Sequence, residues 1–354
     1  MSTRNTSSSE PPATLAPRRA SGRSWIQRLS VGVLRFAALA ALAVAGCRCG
    51  DAHKTQASAT AAAKTAAGAP AAPVKHSLIA LWGSAADDVW AVGDAGTIMH
   101  FDGKAWTASN SGTTKSLLAV SGTGANDVWA VGDDGTTLHF DGKAWNEQKQ
   151  SEGLKFLGIW ADAKNEVWIA GIDENIGLLR HYTGKAWENV SISAASSLWE
   201  AWGVGTTDVW MVGSDAKAGG GFVLRGDGKK FDRMPFEGDS LRGVWGSGSD
   251  DVWAAGYYGE LYHWDGAAWS TTPALPETRL LSLWGTSPAD IWAVGFDGLI
   301  LHYDGSAWAR SSTSTKEILW AVWGSAADNI WAVGNDGTIL HWKGHGWTDG
   351  AALF

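Results

Sequence analysis

The apolar residues of this chain fall into short runs that recur at a nearly constant period. The phrase Val-Trp-Ala-Val-Gly, followed by a polar turn and then by Ile-x-His-Phe-Asp-Gly and Trp, first stands at residues 88–106. Its Trp returns at seven equivalent positions, 39 to 43 residues apart: Trp90, Trp129, Trp168, Trp210, Trp253, Trp292 and Trp331. A period near forty with several strand-like runs per unit indicates repeat architecture rather than a catalytic motif.

Each repeat divides into four short runs separated by turn residues. In the second copy the runs are 117–122, 127–132, 136–140 and one that begins at Trp145. The turn 133–135, Asp-Asp-Gly, is a strong hairpin signal because Gly and, less readily, Asp tolerate positive φ. Four such runs predict one antiparallel blade, and seven copies predict an all-β chain folded as a seven-bladed β-propeller.

The apolar pattern of the second run supports this fold. Val-Trp-Ala-Val-Gly does not alternate, as expected for a strand covered on both faces by neighbouring sheets. Trp also recurs in six first runs, with Ser121 as the exception: Trp82, Trp160, Trp202, Trp245, Trp284 and Trp323. It recurs in six fourth runs, with Phe231 as the exception: Trp106, Trp145, Trp187, Trp269, Trp308 and Trp347.

The repeats set the predicted domain boundaries. Residues 1–46 are expected to be a lipoprotein-type signal peptide, 47–76 a lipidated Cys with a low-complexity linker, and 77–354 the propeller. The predicted blades are 77–114, 115–153, 154–195, 196–238, 239–277, 278–315 and 316–354. The copies run in complete order from first to fourth strand, so the sequence does not show how the ring closes.

The N-terminal segment has the pattern of an export signal. A basic stretch precedes the small apolar run 36–46, which is too short to span a bilayer as a permanent helix. Val44-Ala45-Gly46-Cys47 resembles the bacterial lipobox, which implies lipidation at Cys47 and an exported protein anchored in the cell envelope, at the outer membrane on its periplasmic or surface side. An ordinary signal peptide with an unrelated Cys, or an uncleaved anchor, remains an alternative. The Ala/Thr/Lys/Pro composition of 50–76 predicts a tether.

The charge distribution argues against nucleic acid as a partner. The chain carries a net charge of −8, and residues 1–46 contain six Arg and one Glu, so the remainder is strongly acidic. An acidic body repels the phosphate backbone, and nucleic-acid binding is therefore set aside.

The repeat DVWAVGxxGxIxHxDGxxW resembles two families of β-propeller over about residues 77–349. Tectonin-type repeats are Trp-rich lectin and adaptor propellers, and this resemblance implies glycan or protein binding. The BNR, or Asp-box, group includes sialidases, and that resemblance implies a sialidase-like site. The turn HFDGKAW departs from the Asp-box S-x-D-x-G-x-x-W in the spacing of Gly and Trp.

No constellation in the sequence predicts catalysis, a metal or a cofactor. His recurs at one equivalent position in six copies, with Arg225 in the fourth: His100, His139, His181, His263, His302 and His341. Equivalent points on separate blades are too far apart to share an ion, so each His is expected to bond a backbone group or an Asp near the turn. The Arg residues of the repeats lack the context that the sialidase resemblance would require, and a non-enzymatic protein is predicted.

The copies differ mainly in the hairpins between their second and third runs. Most are short and polar, but the fourth carries the insertion Ser214–Gly221, with Lys217, which is expected to reach over the central opening. The fifth has Tyr257 and Tyr258, and the sixth has Phe296 and Asp297. These are the candidate ligand- or partner-binding residues, because exposed aromatics beside charges suit sugar stacking or a protein hot spot. The alternative is that they only pack on neighbouring loops.

These observations predict a lipid-anchored, non-enzymatic propeller that binds a protein or acts as an assembly scaffold in the cell envelope. A tectonin-like lectin for envelope or extracellular glycans is the second hypothesis, and a degenerate sialidase-like glycosidase is the third. Many equivalent sites would favour the lectin, whereas one unusual patch around copies four to six would favour a protein partner.

Overall fold

The protein is a seven-bladed β-propeller, and the predicted fold class is confirmed. A computed structural model describes residues 76–162, 166–192, 197–215, 219–272 and 278–351. These residues form seven separate sheets, each of four consecutive antiparallel strands. The predicted signal peptide, Cys47, residues 47–75 of the linker and Lys217 lie outside the described residues. Within the described ranges no helix is long and apolar enough to cross a membrane.

The four strands of a blade run outwards from the axis of the ring in chain order. The first strands are Leu78–Ala85, Leu117–Gly124, Lys155–Ala161, Ser197–Gly203, Leu241–Gly248, Leu280–Ser287 and Leu319–Ala326. The second strands are Asp88–Gly93, Asp127–Gly132, Val167–Asp173, Val209–Asp215, Asp251–Gly256, Asp290–Gly295 and Asn329–Gly334. Contacts between the first strands of successive blades complete a circle around the axis.

The two outer strands are shorter. The third strands are Ile98–Phe101, Thr137–Phe140, Ile176–Tyr182, Gly220–Gly226, Leu261–Trp264, Ile300–Tyr303 and Ile339–Trp342. The fourth strands are Trp106–Ser109, Trp145–Glu147, Trp187–Asn189, Phe231–Arg233, Trp269–Thr272, Trp308–Ser311 and Trp347–Asp349. Single 3₁₀ turns join strands two and three at Asp94–Gly96, Asp133–Gly135, Phe296–Gly298 and Asn335–Gly337.

The second-strand Trp of each blade packs on the outer strands of the next blade. The Trp90 ring lies 4.9 Å from Phe140 and 5.4 Å from Trp145, measured between centroids. The last blade makes the same contact with the first, since Trp331 lies 4.9 Å from Phe101 and 5.3 Å from Trp106. All four strands of each blade come from one chain segment. The ring therefore closes by side-chain packing between the last and first blades, without exchange of a strand.

In six of the seven blades the first-strand Trp packs on a Gly of the next blade. A Cβ atom at Gly122 would lie 2.7 Å from Cη2 of Trp82, so no larger residue fits without displacing the ring. The other pairs of this kind are Trp160–Gly203, Trp202–Gly246, Trp245–Gly285, Trp284–Gly324 and Trp323–Gly83. Where the second blade has Ser121, the third has Ala161, whose N–H donates to Ser121 Oγ at 3.1 Å. The larger Ala thus occurs where the facing Trp is missing.

Candidate functional site

The repeated histidines belong to structural networks, one per blade. In the second blade His139 Nε2 lies 2.6 Å from Asp127 Oδ1, and the same oxygen accepts from Trp129 Nε1 at 3.1 Å. The His139 ring also stacks on Trp129 at 4.0 Å between centroids. The hydrogen bond from His139 is the main cause that holds the pKa of Asp127 below its usual value. The partners of the histidines are thus the acidic residues that precede or begin the second strands.

The same pairing recurs around the ring with local substitutions. The pairs are His100–Asp88, His181–Glu166, Arg225–Asp208, His263–Asp251, His302–Asp290 and His341–Asn329. Each pair lies within its own blade, and the described residues contain no group of three or more metal-ligating side chains. These networks link the ends of strands two and three, although His181 Nε2 and His341 Nδ1 are buried without a hydrogen-bond partner among the described residues.

The hairpins between strands two and three share one face of the ring with the links between blades. The Tyr257 N–H donates to Ser240 O at 2.7 Å, and the Phe296 N–H donates to Arg279 O at 3.1 Å. Each of these bonds ties a hairpin to the residue that precedes the first strand. We call this side the hairpin face.

Each first strand carries a β-bulge close to the hairpin face. The bulged residues skip the register with strand two and are half-buried: Ile79, Leu118, Leu157, Trp199, Arg242, Leu281 and Trp320. A bulge re-aims a side chain out of the regular alternation of a strand. Six of the seven positions are apolar, and the fifth blade alone places a charge there.

Arg242 is the centre of a stack of rings and guanidinium groups across blades four to six. Its Cζ atom lies 3.4 Å from the centroid of Trp199 and 4.9 Å from that of Tyr257. The Trp199 Nε1–H donates to Ser214 Oγ at 3.1 Å, which fixes the plane of the indole. The guanidinium is therefore contacted by two aromatic rings from adjacent blades.

The stack continues into the sixth blade. Arg279 Cζ lies 5.7 Å from the centroid of Tyr257 and 5.3 Å from that of Phe296. The Tyr257 ring contacts both Tyr258, at 5.3 Å, and Phe296, at 6.1 Å. Tyr258 is 57% exposed, which marks the outer surface of this group. We call Trp199, Arg242, Tyr257, Tyr258, Arg279 and Phe296 the aromatic–arginine cluster.

The structure brings together three of the residues that the hairpin sequences single out. Tyr257 and Phe296 pack on neighbouring loops as half-buried rings, whereas Tyr258 faces solvent. Asp297 follows Phe296 in the hairpin of the sixth blade and is exposed, at a left-handed φ of 57° that Asp134 of the second blade also adopts. A turn role therefore accounts for Asp297 without a ligand.

The expectation that Ser214–Gly221 forms a long loop over the central opening is wrong for both ends of the segment. Ser214 pairs with Gly221 and Asp215 with Gly220, so the extra residues lengthen strands two and three of the fourth blade. Strand pairing gives the backbone N–H and C=O groups of these residues hydrogen-bond partners within the sheet, whereas in an open loop water would have to supply them. Residues 216–218 lie outside the described residues.

Sequence reasoning missed Trp199, Arg242 and Arg279. Trp199 was hidden among the many scaffold tryptophans, and Arg242 stands in a first strand that is otherwise built of apolar and small residues. Alignment of the seven bulge positions would have found Arg242, since the other six hold Ile, Leu or Trp.

Arg242 and Arg180 are the two arginines whose buried Nε has no hydrogen-bond partner within the described part of the chain, but Arg180 Nη1 donates to the Gln150 side chain. Burial lowers the pKa of the Arg242 guanidinium to about 10, which leaves the group charged at neutral pH. By contrast, Arg233 lies 2.9 Å from Asp215 Oδ2, and Arg225 lies 2.6 Å from Asp208 Oδ1. Arg242 is thus a largely buried cation whose neighbours are aromatic rings rather than carboxylates.

A cleft of about 550 Å³ opens on the opposite side of the ring between blades four and five. It is lined by Thr207, Asp208, Arg225, Gly226, Asp227, Lys230, Asp232, Met234 and Ser249. Its charges already pair within the chain, as in Arg225–Asp208 and Lys230–Asp232. The cleft therefore offers weaker grounds for a ligand site than the aromatic–arginine cluster.

Comparison with solved structures finds other propellers at low sequence identity. YCF48 bound to a D1 peptide matches with a TM-score of 0.63 at 17% identity, over 76% of this chain and 94% of that one. The WD40 propeller domain of Doa1 matches with a TM-score of 0.63 at 12% identity, over 79% and 96% of the two chains. Streptogramin B lyase matches with a TM-score of 0.64 at 11% identity, over 77% and 94%.

These likenesses establish the fold alone, since their functions range from peptide binding to lyase activity. No family model matches the chain, and a search of curated proteins finds no significant relative.

Proposed function

We propose that this protein is a non-enzymatic binding scaffold that holds a segment of a partner protein on its hairpin face. The aromatic–arginine cluster carries this proposal because it occurs once among the described residues, on three adjacent blades, whereas the scaffold features recur around the ring. Trp, Tyr and Arg dominate the residues that contribute most to protein–protein affinity. The exposed ring of Tyr258 and the half-buried rings behind it have the composition of such a centre.

The structure of YCF48 bound to a D1 peptide supports the proposal that a propeller of this fold holds a peptide. It supports only the class of function, because at 17% identity the partner of YCF48 cannot be assigned to this protein. The lectin hypothesis has less support, since the repeated Trp rings pack between blades instead of forming equivalent exposed platforms. Trp106 and Trp331, for example, are 1% and 0% exposed.

The proposal includes export and anchoring through a lipid on Cys47, for which the lipobox-like sequence at residues 44–47 is the support. Metabolic labelling with a radioactive fatty acid tests it directly. The full-length protein is expected to incorporate label and to sediment with membranes, and Cys47→Ser is expected to lose both properties. Cys49→Ser serves as the matched control and should behave as the wild type. Equal labelling of all three proteins would contradict lipidation at Cys47.

The binding function is tested by site-directed photocrosslinking in cells. A benzophenone amino acid replaces Tyr258 on the hairpin face or Val204, an apolar residue 43% exposed between strands one and two of the fourth blade. Position 258 is expected to give a discrete crosslinked protein, and position 204 is not. Adding Arg279→Gln should abolish the crosslink at 258.

Two outcomes would contradict the proposal. One is crosslinking of equal intensity from both positions. The other is saturable binding to a glycan array at several equivalent sites per molecule, which would establish the lectin instead.

A further inference from the structure

The seven bulge positions show that the fold does not need an arginine at residue 242. Six blades build the same bulge with Ile79, Leu118, Leu157, Trp199, Leu281 or Trp320. An apolar side chain is therefore compatible with this backbone. The fifth blade instead buries a charge at a position where burial costs stability unless the charge is paired.

The cation also lacks a counter-ion within the described residues. No carboxylate of these residues lies within ion-pair distance of Arg242 or Arg279, although the chain has 36 acidic residues. Two acids of the same face are paired with other cations: Asp133 lies 3.1 Å from Lys155, and Asp215 lies 2.9 Å from Arg233. Asp297 of blade six forms no ion pair with Arg242 or Arg279, so both arginines of the cluster keep an uncompensated positive charge among the described residues.

The contacts of Arg242 leave its hydrogen bonds open to a ligand. Its Cζ lies over the rings of Trp199 and Tyr257, and its N–H groups, which lie in the plane of the guanidinium, form no ion pair with a described carboxylate. A carboxylate accepts two parallel N–H bonds in this plane, which is the preferred pairing of Arg with an acid. The aromatic rings beside it supply apolar contact area for the residues that flank the acid.

We propose that Arg242 is the receptor for an Asp or Glu side chain in an extended segment of the partner, flanked by apolar residues that contact Tyr258 and Trp199. This assignment rests on the proposed function and adds the chemistry of the partner.

The experiment selects random short peptides displayed on phage against the purified full-length protein in mild detergent. Selected peptides are synthesised, and their affinity is measured by fluorescence anisotropy. We expect Asp or Glu next to aromatic or aliphatic residues, and a loss of about tenfold or more in affinity when that acid becomes Asn or Gln. Amidation of the peptide C-terminus should change little, which separates a side-chain carboxylate from a terminal one.

Protein variants complete the test. Arg242→Leu should lose about tenfold or more in affinity, Arg242→Lys should fall between it and the wild type, and Arg310→Gln should bind as the wild type. Arg310 is the matched control because it is an exposed Arg on a fourth strand. Arg242→Leu should keep or raise the melting temperature, since apolar residues occupy the six equivalent positions.

The outcomes distinguish this inference from the proposed function. Peptides that depend on Tyr258 and Arg279 but tolerate Arg242→Leu or the change of acid to amide would overturn the carboxylate receptor and leave the scaffold standing. Binding that a terminal amide abolishes would also overturn it. If no selected peptide responds to any change in the cluster, both proposals fail. A large fall in the melting temperature of Arg242→Leu would assign Arg242 a structural role instead.

Discussion

The packing of Trp202 on Gly246 offers a quantitative test of how neighbouring blades are locked together. In Gly246→Ala the new Cβ would lie 2.6 Å from Trp202 Cη2 and 2.7 Å from the backbone oxygen of Asp251. Neither contact can persist, and one of them is to backbone. Overpacking of this kind costs about 1–3 kcal/mol, while the lower entropy of the unfolded Ala chain returns about 0.4–1 kcal/mol. We expect a net loss of about 1–2 kcal/mol.

A weaker contact at the equivalent site of the fourth blade provides the matched control. A Cβ at Gly203 would lie 3.0 Å from Trp160 Cη2 and 3.1 Å from Asp208 O, distances that small shifts relieve. Gly203→Ala should therefore change the free energy of unfolding by less than Gly246→Ala. The pair Trp202→Ser and Gly246→Ala reproduces the natural combination of Ser121 and Ala161. In the Trp202→Ser background the cost of Gly246→Ala should fall by about 1 kcal/mol, the size of coupling typical for residues in contact.

The measurement is thermal unfolding of the four variants followed by circular dichroism. For a domain of this size 1 kcal/mol corresponds to about 2–4 °C, so Gly246→Ala should melt about 2–8 °C below the wild type. Two results would refute the reasoning: equal melting temperatures for Gly246→Ala and the wild type, or an unchanged cost of Gly246→Ala after removal of the indole. Either would mean that the Trp–Gly pairs do not restrict the spacing of the blades.

Two pH-dependent predictions concern single departures from the repeat. Glu200 stands where other blades have Ala, Gly or Ser, and enclosure of its carboxyl, whose Oε2 accepts from the Val244 N–H at 3.0 Å, raises its pKa to about 8. In the unfolded chain the Glu200 carboxyl has a pKa near 4.5, so its burial costs stability as the pH rises from 4.5 to 8. Glu200→Gln should therefore have a higher melting temperature than the wild type at pH 8 and the same melting temperature near pH 4.5. Burial lowers the pKa of His341 to about 4 from an unfolded value near 6.5, so the wild type should lose stability as pH falls through that window. In denaturant titrations at successive pH values, His341→Gln should lose less free energy of unfolding than the wild type as the pH falls. For either residue, the same dependence of stability on pH in the variant and the wild type would contradict the prediction.

The scaffold could be predicted from the sequence because its determinants repeat. Each blade has the same second-strand Trp, and most have a Gly in the turn between strands two and three, as Trp90 and Gly96 illustrate, so the repeats turn weak local signals into a strong one. The register bulges were not predictable, since one skipped residue in a strand such as Leu241–Gly248 leaves no mark in an apolar run. Ring closure was also hidden, because the contact of Trp331 with Trp106 joins residues from opposite ends of the repeats.

The candidate site was predictable only in its outer part. Tyr257 and Tyr258 stand in a hairpin that begins with Asp or Asn in the first, second and seventh copies, and such a departure is visible in an alignment of the copies. Arg242 departs from the Ile, Leu or Trp of the other copies in the same alignment, but the sequence does not show that this residue lies in a bulge beside the hairpin face. Function on a repeat scaffold is expected where the rules of the scaffold are broken at a cost. Among the bulge positions that cost falls on Arg242, where a charge replaces an apolar side chain and its face contacts come from the rings of Trp199 and Tyr257. The unpaired charge makes the free protein less stable than the fold allows. A partner carboxylate would offset that cost on binding, so the complex should be more stable than the free protein by a corresponding amount.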